Sequence, residues 1–311
     1  MSKILVTGGA GFIGSTLVDK LIEEGNEVVI IDDLSSGQKS YLNPAAKFYH
    51  VDICSEKIAK IFKTEKFDVV YHLAAQIDVR KSVANPEFDN KVNVLGGVNI
   101  LENARQTGVK KIIFSSTGGA IYGEAEEIPT TESAPTYPVS PYGIHKLTME
   151  KYLNYYYQVY GVNYTILRFA NVYGPRQFKG GEAGVIAIFV DNAVKGSAST
   201  QFGDGLQTRD FVYVDDVVRG LFLAKDIDCR GEINLGSGRE TSLLNLRKSI
   251  SLALGKDIEV IEAPGKDGEQ RRSCLSYGRA KEVLDWEPQV DLAEGVKRTI
   301  NWAQNWAQSK K

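Results

Sequence analysis

Cysteine, histidine and long apolar runs are all scarce in this 311-residue chain, which holds three cysteines and three histidines. Cys54, Cys229 and Cys274 are scattered, and no two form a CxxC pair. An odd, dispersed set suits a reducing compartment and excludes a disulfide framework. His50, His72 and His145 show neither HxxxH nor HExxH spacing, so no histidine-built zinc site is expected. There is no run of about 18 apolar residues, which excludes a membrane-spanning helix. The segment from Met1 to Thr7 carries no leader-type apolar region, and a cytoplasmic protein is expected. An excess of one charge is missing too: 37 Lys+Arg stand against 39 Asp+Glu, a net charge of −2. No global basic field would draw nucleic acid, although clustered arginines can still build a local anion site. The 43% hydrophobic and 24% charged content is that of an ordinary globular protein, which excludes a disordered or fibrous chain. At about 150 residues per domain, the length predicts about two domains or one large α/β unit.

Short apolar segments alternate with amphipathic ones through the first half. Ile4–Thr7, Glu27–Asp32, Lys47–Val51, Val69–His72, Lys111–Ser115 and Tyr164–Arg168 read as strands. Phe12–Glu24, Ser55–Thr64, Pro86–Gln106 and Pro141–Tyr160 read as helices between them. This order predicts an α/β fold: a Rossmann-like, doubly wound parallel sheet, with a smaller C-terminal α/β substrate domain. Near-continuous apolar strands such as Val28–Ile31 suit a sheet buried on both faces. After Arg168, Gly174-Pro175, Gly180-Gly181 and Gly203-Asp204-Gly205 punctuate a loop-rich stretch. Strands near Phe211–Val214, Glu232–Leu235 and Ile258–Ile261 follow, with helices at Asp215–Ala224, near Leu243–Leu254 and from about Leu292.

Thr7-Gly8-Gly9-Ala10-Gly11-Phe12-Ile13-Gly14 lies between the first strand and the first helix. Gly8 and Gly11 let the backbone turn and approach a pyrophosphate, and Gly14 lets helix and strand pack closely. The helix start would hold the anion on its amides and its positive end. Tight turns explain many glycine triplets, but here the second strand also ends in Asp32, at the spacing of a ribose-binding acid. A carboxylate there accepts hydrogen bonds from a 2′-hydroxyl and repels a 2′-phosphate, which favours NAD over NADP.

Ser140-Pro141-Tyr142-Gly143-Ile144-His145-Lys146 is the second signal. Ser140 and Pro141 make a good helix start, and Tyr142 and Lys146, at i and i+4, share one helix face. A free tyrosine is a poor base at neutral pH, with a pKa near ~10; a neighbouring ammonium favours its phenolate. YxxxK is common by chance as an aromatic packed beside a solvated lysine. The decisive context is the strand Ile112-Ile113-Phe114, which ends in Ser115-Ser116-Thr117-Gly118-Gly119. Ligands of open α/β sheets bind beyond the carboxyl ends of strands, so hydroxyls, phenol and ammonium meet at one spot. His145, on another face of the helix, reads as incidental.

These stretches, with DDLSSG at Asp32–Gly37, HLAAQ at His72–Gln76, FSSTGGAIYGE at Phe114–Glu124, LRFANVYGPRQ at Leu167–Gln177, RDFVYVDDV at Arg209–Val217 and LDWEP at Leu284–Pro288, span almost the whole chain. The chain resembles the extended short-chain dehydrogenase/reductase superfamily and, within it, the UDP-glucose 4-epimerase family. The resemblance implies an NAD-binding domain over 1–170, with 210–235 returning to it, and a UDP-sugar-binding domain from 171–209 and 236–311. It implies NAD contacts from Gly8, Gly11, Phe12, Ile13, Gly14, Asp32, Asp33, Leu34, Ser35, Ser36, Gly37, Asp52, Ile53, Leu73, Ala74, Ala75, Gln76, Asn93, Ser115, Tyr142, Lys146 and Ala170. Tyr142 would be the base, Lys146 its partner, and Thr117 the hydrogen-bonding partner of the sugar 4-hydroxyl. Thr117, Tyr142, Asn171, Val185, Arg209, Lys266 and Glu269 would contact the UDP-sugar, with Arg209 on the diphosphate. The implied activity is that of an isomerase of carbohydrate, including galactose, metabolism: interconversion of UDP-glucose and UDP-galactose through a 4-keto sugar, with tightly bound NAD.

Sister dehydratases carry an Asp-Glu pair after the threonine, and sister decarboxylases a Thr-Ser-Glu sequence there. Thr117-Gly118-Gly119-Ala120 supplies no carboxylate, and elimination needs proton transfers beyond Tyr142. The family's C-terminal arginine is replaced at Lys266-Asp267-Gly268-Glu269; Lys266 lacks a bidentate fork, and Arg271 or Arg272 would compensate. Ser273 hints at a site open to N-acetylhexosamines, and Arg176 at one for a uronate, so UDP-N-acetylglucosamine and UDP-glucuronate 4-epimerases are alternatives. A nucleotide-sugar reductase and a non-catalytic NAD-binding protein are more distant ones. Tyr152, Tyr155, Tyr156, Tyr157 and Tyr160 exceed what one packing stripe needs, and aromatics favour interfaces. The resemblance implies a homodimer built by this helix and Pro86–Gln106.

Overall fold

A computed structural model describes residues 1–177, 184–265 and 270–309. A parallel sheet of seven strands organises the chain, in the order β10-β6-β5-β4-β1-β2-β3. Its members are β1 (Lys3–Thr7), β2 (Glu27–Asp32), β3 (Lys47–His50), β4 (Val69–His72), β5 (Lys111–Thr117), β6 (Asn163–Phe169) and β10 (Glu232–Leu235). Alternate side chains of each strand enter two different cores. Leu5, Val29, Ile31, Val70 and Ile112 pack on one face with α2 (Lys57–Glu65), α5 (Gly97–Thr107) and α7 (Pro141–Tyr160). Ile4, Val6, Val28, Ile30 and Ile113 pack on the other with α1 (Phe12–Glu23) and α9 (Val214–Ala224). Burial on both faces explains why the strands read as unbroken apolar runs. The strand order reverses direction between β1 and β4, and such a switch point opens a crevice at the carboxyl ends of the strands.

The helix expected over Pro86–Gln106 is interrupted. It divides into α4 (Pro86–Asn90), a π-helical stretch (Lys91–Gly96) and α5. A further short helix, α3 (Val79–Ala84), precedes it, capped by Asp78 accepting from the amides of Arg80 and Lys81. After β5 come α6 (Gly118–Ile121) and then α7.

Beyond β6 the chain builds β7 (Asn171–Tyr173), α8 (Val185–Lys195), β8 (Ser199–Phe202) and β9 (Thr208–Tyr213). It then returns to the large sheet through α9 and β10, and leaves again through β11 (Glu240–Ser242), α10 (Leu243–Leu254), β12 (Val260–Ala263), α11 (Gly278–Leu284) and α12 (Leu292–Ser309). Strands β11, β9 and β7 form a small sheet, and β12 pairs with β8. Among the described residues no helix is long and apolar enough to cross a membrane.

Candidate active site

The loop after β1 turns at Gly8, whose φ is +73°. A Cβ at Gly8 would lie 2.8 Å from the Ala74 amide nitrogen, and one at Gly14 would lie 2.1 Å from the Gly8 carbonyl oxygen. Only glycine fits either place. Gly11 caps α1 without a side chain, and the first turn of that helix holds no acid, so its amides face open space suited to a phosphate. Beside the turn, buried Asp32 accepts from the amides of Ala10 (3.0 Å) and Leu34 (2.8 Å). Burial pushes the Asp32 carboxyl above its ordinary value, against the lowering effect of those two amides. Asp33 holds Ser35 through both its amide and its hydroxyl.

Ser140 starts α7 by accepting from the Gly143 amide at 3.2 Å, with Pro141 in the first turn. One turn in, buried Lys146 donates through Nζ to the Ser115 carbonyl at 2.8 Å and lies 4.7 Å above the Phe114 ring. The end of β5 therefore holds the lysine directly. His72 lies close by, at the end of β4. Burial first, and the Lys146 charge second, bring its imidazole down to about 3. The Thr7 hydroxyl accepts from the amides of Leu73 and Ala74, so its single proton goes to His72 Nδ1, 2.8 Å away. The ring is a neutral acceptor, buried at the end of β4.

One cleft of ≈ 830 Å³ joins these parts, near the upper end of the ~300–1,000 Å³ usual for ligand pockets. It runs from Gly8, Gly11, Phe12, Ile13, Gly14, Asp32, Asp33, Ser35 and Ser36 past Asp52, Ile53, Leu73, Ala74 and Ala75. It continues over Ser115, Thr117, Tyr142 and Lys146 to Ala170, Asn171, Val185 and Arg209. Sequence reasoning missed one wall, Ile77–Arg80, and a far end that includes Gln177, Gln207 and Thr241. Asp78 immediately before an amphipathic run was an available helix-start signal for the first. The second comes from separate strands and loops that no local pattern links.

Leu34, Gly37, Gln76 and Asn93, expected at the cofactor, are not among the residues lining the cleft. Leu34 and Gly37 pack around Asp32, where a Cβ on Gly37 would lie 2.9 Å from Oδ1. Asn93 is spent on the Gln76 backbone, accepting from its amide and donating to its carbonyl. Arg271 and Arg272, expected to compensate for the replaced arginine, are paired here: the first is bidentate to Asp204 and the second to Glu240. Arg176 is paired with Asp19 at 2.6 Å, and neither it nor buried Ser273 lines the cleft. His145 is not incidental, since its Nδ1 lies 2.5 Å from the buried carboxylate of Asp89. Lys266 and Glu269 lie outside the described residues. Cys54, Cys229 and Cys274 are free thiols, and among the described residues no cluster of histidine, cysteine or carboxylate could hold a metal.

Comparison with known proteins brings the sequence and the cleft together. The model of the "NAD dependent epimerase/dehydratase family" matches residues 4–236. This chain belongs to that family. Its members include a putative UDP-glucose 4-epimerase of Methanocaldococcus jannaschii, 47% identical over 97% of this chain and 98% of that protein. A UDP-glucose 4-epimerase of Mycolicibacterium smegmatis is 45% identical over 98% of this chain and 100% of its own length. Among solved structures, the UDP-glucose 4-epimerase of Thermotoga maritima with UDP-glucose superimposes with a TM-score of 0.95. It is 47% identical, and the match covers 99% of this chain and 100% of that one. Family membership makes NAD the cofactor to test against the cleft, and the residues fit it. The glycine turn lines the cleft and has no room for a side chain at Gly8 or Gly14, and the Asp32 carboxylate stands beside it.

Proposed function

We propose that this protein is a UDP-glucose 4-epimerase, an NAD-dependent isomerase interconverting UDP-glucose and UDP-galactose. The observation that carries this reading is the continuity of the cleft: a dinucleotide turn at one end, Thr117, Tyr142 and Lys146 in the middle, and Arg209 at the other. Bound NAD supplies a hydride acceptor that can return what it takes. Tyr142 removes the proton of the sugar 4-hydroxyl, and Thr117 hydrogen-bonds the same oxygen. Lys146 favours the phenolate form of Tyr142 by its charge and holds the nicotinamide ribose. Asn171 and Arg209 grip the UDP part, so that the keto sugar can turn over and be reduced on its opposite face. Arginine suits the grip because it pairs strongly with phosphate oxygens.

The residues after Thr117 favour this reading over elimination or decarboxylation, since Gly118 and Gly119 carry no carboxylate. The uronate and N-acetylhexosamine alternatives lose their first support, since Arg176 and Ser273 stand away from the cleft. The test is incubation with UDP-glucose, UDP-galactose, their N-acetyl forms and UDP-glucuronate, without added reductant. Interconversion of the first pair is expected to be fastest. Failure of every UDP-hexose to change at C4 would refute the reading.

The division into an NAD-binding part (1–170 with 210–235) and a UDP-sugar part (171–209 with 236–311) belongs to the same proposal. It is supported by α9 and β10 packing on the large sheet, while β9 pairs outside it, so the return begins near Val214. A homodimer is supported by the exposed apolar side chains Val83, Phe88, Leu95, Ile144, Tyr155 and Val159, carried on α3, α4, the π-helical stretch and α7. The three free thiols favour a cytoplasmic setting; fractionation of the source cells, with the protein in a non-cytosolic fraction, would refute it.

A further inference from the structure

We propose that His145, Asp89 and Gln76 form a positioning relay that locks the 76–84 wall of the cleft to the helix carrying Tyr142. Asp89 is fully buried on α4. Its two oxygens are held from opposite sides, Oδ1 by His145 Nδ1 at 2.5 Å and Oδ2 by Gln76 Nε2 at 2.6 Å. Burying a carboxylate is costly and contributes little net stability, so such a contact is better understood as specifying geometry. What it specifies is the start of the wall. Gln76 also donates to the Asp78 carbonyl and accepts from the Asp78 amide, while Asn93 clamps its backbone amide and carbonyl. Every polar group of Gln76 is thereby engaged. Asp78 then caps α3, and Ile77–Arg80 line the cleft.

The wall meets α7 at a second point, where the Tyr142 amide donates to the buried Ser82 hydroxyl at 3.2 Å. The two tethers, at Tyr142 and His145, bracket a single turn of α7. Wall and phenol are therefore placed together. The π-helical stretch contributes as well: its irregular winding carries Asn93, and such bulges recur where a helix must serve a site. The effect on turnover rests on the epimerase reading; the tether itself does not.

Hydrogen exchange followed by mass spectrometry on the full-length protein, with UDP-galactose kinetics alongside, tests the relay. In His145→Leu, peptides covering 76–84 are expected to exchange faster while β1, β2 and β5 keep their protection. Turnover should fall roughly ten- to a hundredfold, as small misplacements cost in other enzymes, with KM little changed. His145→Asn places an amide nitrogen near the position of Nδ1 and should restore most of both. Asp89→Leu removes both acceptor oxygens at similar volume and should loosen the wall even if His145→Leu fails to fold. Unchanged exchange over 76–84 in Asp89→Leu, or equal defects in His145→Leu and His145→Asn, would overturn the relay. A wild-type protein inert toward every UDP-hexose would sink the epimerase reading and leave the exchange result to decide the tether.

Discussion

In the proposed reaction Tyr142 depends on its neighbours, because a phenol alone is a weak base at neutral pH. Lys146, one turn away and bound to the Ser115 carbonyl, would bring the charge that favours the phenolate. Removing only the hydroxyl separates catalysis from binding. Tyr142→Phe is expected to lower kcat by roughly 10²–10⁴, the usual share of a general acid–base group, while the purified protein keeps its NAD. Absorbance of the released cofactor after denaturation checks the second point, and loss of NAD would contradict the assigned role. Placement that follows from local pattern was readable in advance: Gly8, Gly14, Asp32, Tyr142 and Lys146 all line the one cleft. The partners of Gln76, Asn93 and His145 were not legible, because they lie 13 to 56 positions away in the chain. No local spacing marks such partners.

At the scale of elements, strand positions followed from composition, since a sheet buried on both faces leaves an apolar run at each strand. The break at Lys91–Gly96 was not legible because no proline interrupts Glu87–Gln106 and the chain winds on through it as a π-helix. The far wall was harder still, being shared by β7, α8, β9 and β11. The opposite edge of the large sheet is organised by one acid. Glu65 of α2 is gripped by Lys3 of β1 (2.8 Å), by Lys47 of β3 (2.5 Å) and by the Tyr49 hydroxyl. Burial opposes ionisation of Glu65, but hydrogen bonds from Lys3, Lys47 and Tyr49 outweigh it and bring the carboxyl down to about 2. A carboxyl held below its ordinary 4.5 contributes stability that is complete above that value and is lost as pH falls toward about 2. Glu65→Gln should therefore destabilise at neutral pH, with the deficit shrinking as the medium is acidified. Urea midpoints of both proteins, down to the lowest pH at which unfolding stays cooperative, check this. A deficit independent of pH would assign the loss to packing instead.

The chain leaves the large sheet after β6, returns through α9 and β10 and leaves again, which places the glycine turn, Tyr142 and Arg209 along one cleft. Its near-neutral total of −2 conceals opposed local charges, with Asp32 at one end of the cleft and Arg209 at the other. The exposed apolar face on α3, α4 and α7 gives an expectation at the same scale. Sedimentation should find a dimer, and Leu95→Asp combined with Val159→Asp should yield a monomer that keeps its fold; a wild-type monomer would remove the dimer. The central claim is that hydrogen taken from C4 returns to C4 inside one protein. It is tested most directly by supplying UDP-galactose in deuterated water, with no added nicotinamide or reductant, and following C4 by NMR. UDP-glucose should appear with protium retained at C4. Failure to form UDP-glucose, or deuterium at its C4, would contradict the account.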